Sequence, residues 1–552
     1  MKQISKSTLT DASLAQLCLC ASSQYKDKIA FSMLSEGKIC GEITYAQMGD
    51  RARQIASLLK QLGIANGGKV LLLSENCPEW ALAYFGIALA GAVSVPLLTG
   101  FSIEQIQYIA SHSDVSAVCI SRAMAQKFEQ IYSLSGFLNI PFIYIDSMTD
   151  NKETPKISVS LNGLEKEMPL HTDECTDVPQ QKADDLASII YTSGTQGSNK
   201  GVMLSSRNLI SSAVSSLFFG RLVPRDRMLS VLPLAHSYEC GLGLLAPVIS
   251  GVSITYLDRP PSPSVLLPAV KLLRPTVMVT VPLLIEKIYS SAIAPKLRES
   301  KLYKFPLTRP LAVWFAGRKL VSALGGRIRF FGIGGAPLSP QVEKFLHNAK
   351  FPYTIGYGLT ETAPLVASNI PLRFSFGFGL TSADGVTIRI AECEGSAKDG
   401  EIQVRGQNVM MGYYNDEEKT REAFTSDGWF RTGDLGRLDK KGRLHIRGRL
   451  KALILGPSGE NIYPEEIEGL LGSSQLVEES LVYSGKKGEL IALVFLSEAA
   501  KAAAGAIEHK LEDLRLWVNK KLSSFSRLSK IEIKYKPFEK TPTMKIKRHL
   551  YA

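Results

Sequence analysis

The sequence predicts an α/β protein: a large N-terminal domain of two α/β subdomains plus a β-rich subdomain, followed by a small α+β C-terminal domain. Three observations predict it. From about residue 40 to 370, short apolar strands alternate with amphipathic helices, the pattern of largely parallel sheets. From Gly377 to Arg447 the pattern turns to short strands and turns (VTIRI, GEIQVRG, GRLHIRG), and the remaining C-terminal stretch reads as a separate α+β unit. The chain, at 552 residues, is also too long for one typical core.

The clearest strands are KVLLLSE (69–75), AVSVPL (92–97), VSAVCI (115–120), LASIIY (186–191), VSITYL (252–257), TVMVTV (276–281) and RIRFFGIGG (327–335). Trp80 to Phe101 is 22 residues without a charge, long enough for a membrane span. It reads better as a helix from about Pro78 to Ala90 and a strand, broken at Gly91 and stopped by Pro96. Residues 150–184 are polar and contain proline, which predicts a surface excursion.

A 45% apolar and 21% charged composition is that of an ordinary soluble globular protein. Eight cysteines stand at 18, 20, 40, 77, 119, 175, 240 and 393 without metal-type or framework spacing, so reduced thiols in a cytoplasm are expected. No signal peptide is visible, because Asp11 interrupts the N-terminal segment and no clean apolar run comes after its lysines. Of the net charge of +12, the segment 520–552 carries +8, from ten Lys/Arg and two Glu. A nucleic-acid role would need aromatics or a recognised module beside that charge, and none is expected. Polyanionic small molecules, or peripheral contact with an anionic inner-membrane surface, fit the charge.

The most informative segment is YTSGTQGSNKG, Tyr191 to Gly201. It follows an apolar strand, Leu186 to Ile190, and precedes a helix that Ser205 or Ser206 can cap. Strand, Gly/Ser/Thr-rich loop and helix is an arrangement that aims backbone N–H groups at phosphate, and Lys200 adds a compact charge. The Walker spacing is absent, because Asn199 precedes the lysine and Gly201 follows it. Alone, such a loop is most often a plain surface turn.

With its further segments the chain resembles the adenylate-forming superfamily, the acyl-CoA synthetases and their relatives, and looks closest to bacterial long-chain fatty acid–CoA ligases. The family loop reads Tyr-Thr-Ser-Gly-Thr-Thr-Gly-x-Pro-Lys-Gly, and this chain departs from it at Gln196 and Asn199. Six more segments match in the family's order. VLPLAHSYE (231–239) supplies His236, on the carboxylate and phosphate side of the active site. GIGGAPLSP (332–340) supplies Gly334, Gly335 and Ala336, small residues that leave room for adenine. GYGLTET (356–362) supplies Gly356, Tyr357 against the adenine face, Thr360 toward the α-phosphate and Glu361 for Mg²⁺. WFRTGDLGRLD (429–439) supplies Asp434, an acceptor for both ribose hydroxyls. GRLKALILGPSGENIYPEEIE (448–468) supplies Arg449, a ribose or phosphate contact, and Lys451, the hinge. FEKTPTMKIKRHLY (538–551) supplies Lys545, with Met544 where many members have glycine. Without the resemblance, His236 would read as a satisfied loop or core histidine, Glu361 as a solvated acid and Lys545 as one lysine of a basic tail.

The resemblance implies an N-terminal AMP-binding domain over 1–448 and a mobile C-terminal domain over 449–552. It implies MgATP-dependent activation of a fatty acid to acyl-adenylate, then transfer to coenzyme A, with an acyl carrier protein as the alternative acceptor. Thr192, Ser193, Gly194, Thr195, Gln196 and Gly197 would hold phosphate, and Thr192 would join Glu361 at the metal. Lys200, His236, Glu361 and Lys545 would serve adenylation. Rotation at Lys451 would then exchange Lys545 for the 456–459 loop at a pantetheine channel. An apolar tunnel is expected from residues 276–285, Gly241 to Leu245 and Ile333. Lys545→Ala is expected to slow adenylation by at least about 10²–10³ and thioester formation from preformed adenylate far less. Single-turnover assays of the two half-reactions check this.

Overall fold

The computed structural model describes the chain apart from residues 1–2, 10, 138, 149–155, 162–163, 171–180, 194–198, 371–378, 394–395, 456–460, 486–487, 503–506, 524–525, 542–545 and 552. Two nine-stranded sheets dominate it. The centre of the first is parallel, in the order Leu186–Ser193, Val93–Leu97, Lys69–Leu73, Val115–Ile120, Phe142–Tyr144. The second holds a parallel run of Ile29–Ser35, Ser253–Leu257, Arg227–Leu229, Val277–Thr280, Phe330–Ile333 and Tyr353–Gly358. Both sheets end in antiparallel strands, which need only short connections.

One apolar core joins the two sheets through the helices Leu14–Tyr25, Tyr45–Gln61 and Pro78–Leu89. Apart from Glu79 in its first turn, Pro78–Leu89 is apolar and buried on all sides, as such a helix must be. Gly86 lets it approach its neighbour, since a Cβ there would stand 2.7 Å from Ile55. The uncharged stretch after Trp80 is therefore this helix plus the buried strand Val93–Leu97, joined at Gly91 with φ +76°. Among the described residues no helix is long and apolar enough to cross a membrane.

A second core covers the other face of the second sheet with the helices Pro263–Leu273, Arg309–Ala323 and Pro340–Asn348. The β-rich part is a four-stranded sheet of Val386–Cys393, Ser396–Gly406, Phe430–Leu438 and Leu444–Arg449. The C-terminal unit packs Pro464–Gly472 and Ile507–Asn519 with the three strands Val477–Ser484, Leu490–Leu496 and Leu528–Lys534. Arg447 joins it to the β-rich sheet through Glu466 at 3.1 Å and Asp399 at 3.6 Å.

Two local expectations are corrected. Within 150–184, residues Lys156–Leu161 and Leu164–Pro169 form a hairpin that extends the first sheet. Its inner strand is buried from Ile157 to Ser160, with Ile157 and Val159 supplying the apolar contacts that hold it on the sheet. The strand–loop–helix reading around Lys200 also changes. Leu186–Ser193 returns as the antiparallel strand Asn199–Ser205, and only then does the helix Ser206–Gly220 begin, capped by Ser205. Its N-terminus lies one strand length, about 20 Å, from the loop, so its dipole does not serve that loop.

Glycine spacing gives a paired prediction. A Cβ on Gly358 would sit 1.6 Å from the Pro364 carbonyl oxygen, whereas one on Gly469 meets nothing within 4 Å. Gly358→Ala should destabilise the fold by at least about 1–3 kcal/mol. Gly469→Ala should be neutral or stabilise by about 0.4–1 kcal/mol. Thermal melting of both variants checks the contrast.

Candidate active site

Four of the sequence-predicted segments, 191–201, 231–239, 332–340 and 356–362, lie at the carboxyl ends of strands with parallel neighbours, where open α/β sheets form ligand crevices. Phe330–Ile333 leads to Gly334 and Gly335, and Gly335 has φ +85°. A Cβ on Gly334 would stand 3.2 Å from the Tyr238 ring and 3.4 Å from the Gly356 oxygen, so glycine lets this turn pack closely on both. Ala336 is exposed. The next strand, Tyr353–Gly358, leads into the turn Thr360–Thr362.

His236 lies on the loop after Arg227–Leu229 and is half-buried. The backbone N–H of Tyr238 donates to its Nδ1 at 3.2 Å. With Nδ1 accepting, a neutral imidazole carries its proton on Nε2, which is then the donor. The neighbouring Ser237 hydroxyl reaches the Thr360 hydroxyl at 3.3 Å, tying the histidine loop to the Thr360–Thr362 turn.

Tyr413, which sequence reasoning missed, joins two expected groups. Its hydroxyl donates to Glu361 Oε1 at 3.0 Å, and Lys200 Nζ stands 4.6 Å from its ring centroid. Burial, then the Glu361 charge, raises the Tyr413 hydroxyl above its usual range, so it stays a donor. Burial and the nearby Lys419 lower Lys200 from the usual lysine value, opposed by Glu361. Thr192 faces Lys200 across the hairpin. Ser193 ends the first of those strands. Gly194, Thr195, Gln196 and Gly197 lie outside the described residues, as do Lys545, Met544 and the 456–459 loop.

Asp434 is 4% exposed and opposes Arg449 in the β-rich sheet. Tyr357 donates its hydroxyl to Oδ2 at 2.7 Å, and Arg449 Nε meets Oδ1 at 2.7 Å. Tyr357, expected to lie against adenine, thus makes a contact through its hydroxyl that orients the carboxylate. The Arg449 amide donates to Glu465 in the C-terminal unit at 3.1 Å. Lys451, exposed on the short turn Leu450–Ala452, lies close enough for its charge to act on Lys200. The residues expected to line a tunnel are largely core: Leu244, Leu245, Met278 and Ile333 are each at most 1% exposed.

A second missed group lies behind His236. Glu239 is fully buried, its Oε1 accepts from the Ser230 hydroxyl at 2.5 Å, and its Oε2 has no hydrogen-bond partner. Asn76 donates to Ser230 at 3.3 Å and accepts from the Leu234 amide at 2.8 Å. A lone acid in the apolar run from Tyr238 to Ile249 was the available signal.

Residues 20–414 match the AMP-binding enzyme family, and residues 452–551 match the AMP-binding enzyme C-terminal domain. The chain belongs to this family. Among similar proteins, the long-chain-fatty-acid–CoA ligase FadD15 of Mycobacterium tuberculosis is 30% identical across 95% of this chain and 93% of its own. The solved structure of ATP-bound MatB from Rhodopseudomonas palustris superposes with TM-score 0.74 at 25% identity, covering 97% of this chain and 98% of that one. O-succinylbenzoate CoA synthetase from Bacillus subtilis, solved with its acyl-adenylate, shares the fold at TM-score 0.74 and 24% identity over 99% of both chains.

Burial pushes the Glu239 carboxyl of this AMP-binding enzyme up to about 8. The folded state therefore holds the proton more tightly than the unfolded chain. The contribution of this group to stability is full below the ordinary carboxyl range and is lost as pH rises toward 8. Glu239→Gln, which keeps an acceptor for Ser230 but cannot ionise, should flatten the fall in stability between about pH 5 and pH 8. Urea unfolding across that range checks it, and parallel profiles for the two proteins would count against a buried neutral acid.

Proposed function

We propose that this enzyme activates a medium- or long-chain fatty acid with ATP and transfers the acyl group to coenzyme A. The observation that supports it most directly is the meeting of Lys200 and Glu361 on Tyr413, beside the His236 loop that Ser237 ties to Thr360. The choice of acid and acceptor rests on FadD15, a relative of near-equal length named for long-chain fatty acid and coenzyme A. That favours coenzyme A over an acyl carrier protein.

In the first half-reaction the substrate carboxylate oxygen attacks the α-phosphorus, the bond to the β-phosphate oxygen breaks, and pyrophosphate leaves with the electron pair. Two anions must meet, so catalysis is mostly charge neutralisation and alignment. Lys200 brings a fixed positive charge, and the Nε2–H of His236 donates to a developing oxyanion. Lys545 would add a second cation from the C-terminal domain. Asp434, oriented by Tyr357 and Arg449, accepts from ribose hydroxyls, while Gly334 and Gly356 leave a slot for the base.

Glu361 suits Mg²⁺. Its Oε1 accepts from a tyrosine hydroxyl rather than from a cation, and a hard cation bound mainly by phosphate oxygens needs only one or two protein carboxylates. Bound there with Thr192 nearby, the ion would offset charge on the phosphates. In the second half-reaction the thiol loses its proton and its sulfur attacks the acyl carbonyl. The acyl–phosphate bond breaks and AMP departs. Rotation of the 449–552 domain about Lys451 would open the path for the thiol.

The test is pyrophosphate release from MgATP with fatty acids of increasing length, with and without coenzyme A. Release should require the acid and rise at a preferred chain length, with acyl-CoA appearing only when coenzyme A is present. Acid-dependent release without an acyl-CoA product would move the acceptor to a carrier protein. No release with any fatty acid would overturn the substrate assignment.

A further inference from the structure

The helix Arg309–Ala323 buries Ala312, Val313, Gly317 and Leu320 against the outer core of the second sheet. The opposite face of such a helix is ordinarily polar. Here Leu311, Trp314 and Phe315 fall at the i, i+3 and i+4 positions of that opposite face, 48%, 40% and 48% exposed. The preceding turn adds Leu302, Phe305 and Leu307, the last 97% exposed. Scattered surface leucines need no explanation, but a set on one helix and the turn before it that includes Phe305, Trp314, Phe315 and the almost fully exposed Leu307 does.

The charge around this patch is one-sided. Residues 296–319 contain seven Lys/Arg and a single acid, Glu299. Lys301 and Lys304 flank Leu302 on its short helix, and Arg318 lies 5.9 Å from the Trp314 ring. Among the described residues none of these seven cations forms a salt bridge, unlike Arg207, Arg329, Arg389 or Arg515.

We propose that the 301–319 face docks on an anionic lipid bilayer, with Phe305, Leu307 and Trp314 entering the headgroup–acyl boundary and the lysines and arginines lying among the headgroups. The combination is that of an interfacial helix, apolar and aromatic at the tip and basic at the flanks. A second copy of the chain would present the same positive face and be repelled. A polyanion without an apolar phase would leave Leu307 and Phe305 exposed. The proposal is independent of which acid is activated, because vesicle binding is measured without substrate.

The experiment is flotation of the full chain with vesicles of phosphatidylcholine alone and of phosphatidylcholine mixed with phosphatidylglycerol. The wild type should bind the mixed vesicles, and bind them less as salt rises. The double variant Phe305→Ser, Leu307→Ser should partition at least about tenfold more weakly. Lys301→Glu with Lys304→Glu should lose about fivefold or more per residue on the anionic vesicles only. All four side chains are exposed, so thermal melting should be unchanged and unfolding excluded as a cause. Wild-type flotation of either variant, or no wild-type binding to mixed vesicles, would overturn the proposal. So would a wild-type dimer in sedimentation velocity that the double serine variant abolishes, since the face would then be a contact between copies.

Discussion

Asn76 ties the ends of the two large sheets together. It follows the strand Lys69–Leu73 of one sheet and bonds Ser230, the Leu232 carbonyl and the Leu234 amide, all just beyond Arg227–Leu229 of the other. A loop crossing between two sheets has few backbone partners of its own, so a side-chain amide that both donates and accepts is well suited to hold it. Glu239 completes the clamp from beneath through Ser230. The position of His236, and through Ser237 that of the Thr360–Thr362 turn, depends on this small polar network in an otherwise apolar core.

The electrostatics around that clamp follow one pattern. Charged groups facing the candidate site are paired in ways that leave a further interaction open. Glu361 is bonded by a tyrosine rather than a cation, and Lys200 sits over a ring rather than on a carboxylate. A tight Lys200–Glu361 ion pair would satisfy both and oppose binding of phosphate and its counter-ion; Tyr413 holds them near each other without joining them. Asp434 is held more firmly: Arg449 and Tyr357 each engage one of its oxygens and orient the carboxylate, whose oxygens can each accept a second donor.

The outer face of the second sheet shows a different use of apolar surface. Gly317 packs a helix closely on Ala349, and that helix then carries a second apolar stripe toward solvent. Burial of one face is explained by the core. The other has no partner within the chain among the described residues, and its basic flanks suit an anionic surface rather than a folded neighbour.

Much of the fold was legible in the residues themselves. Apolar runs of strand length between helical stretches placed the central parallel strands, because strands buried on both faces must be continuously apolar, but Ile29–Ser35, Phe142–Tyr144, Arg227–Leu229 and Tyr353–Gly358 were not among them. Gly91 and Pro96 divided the long uncharged stretch correctly for the same local reasons. The family resemblance, rather than the side chains taken singly, pointed to His236, Glu361 and Asp434. The hairpin around Lys200 was not legible, because Asn199–Ser205 pairs with Leu186–Ser193 on one edge and is completed on the other by Gly412–Tyr413, a strand far along the chain. Tyr413, Asn76 and Ser230 escaped notice for a related reason: each matters through a contact separated by tens to hundreds of residues. Local sequence thus set which segments are strands, helices and tight turns, since backbone propensity and burial pattern act over a few residues. Tertiary packing alone decided which hydroxyl meets which carboxylate, because that depends on how two independently patterned sheets close on a shared core.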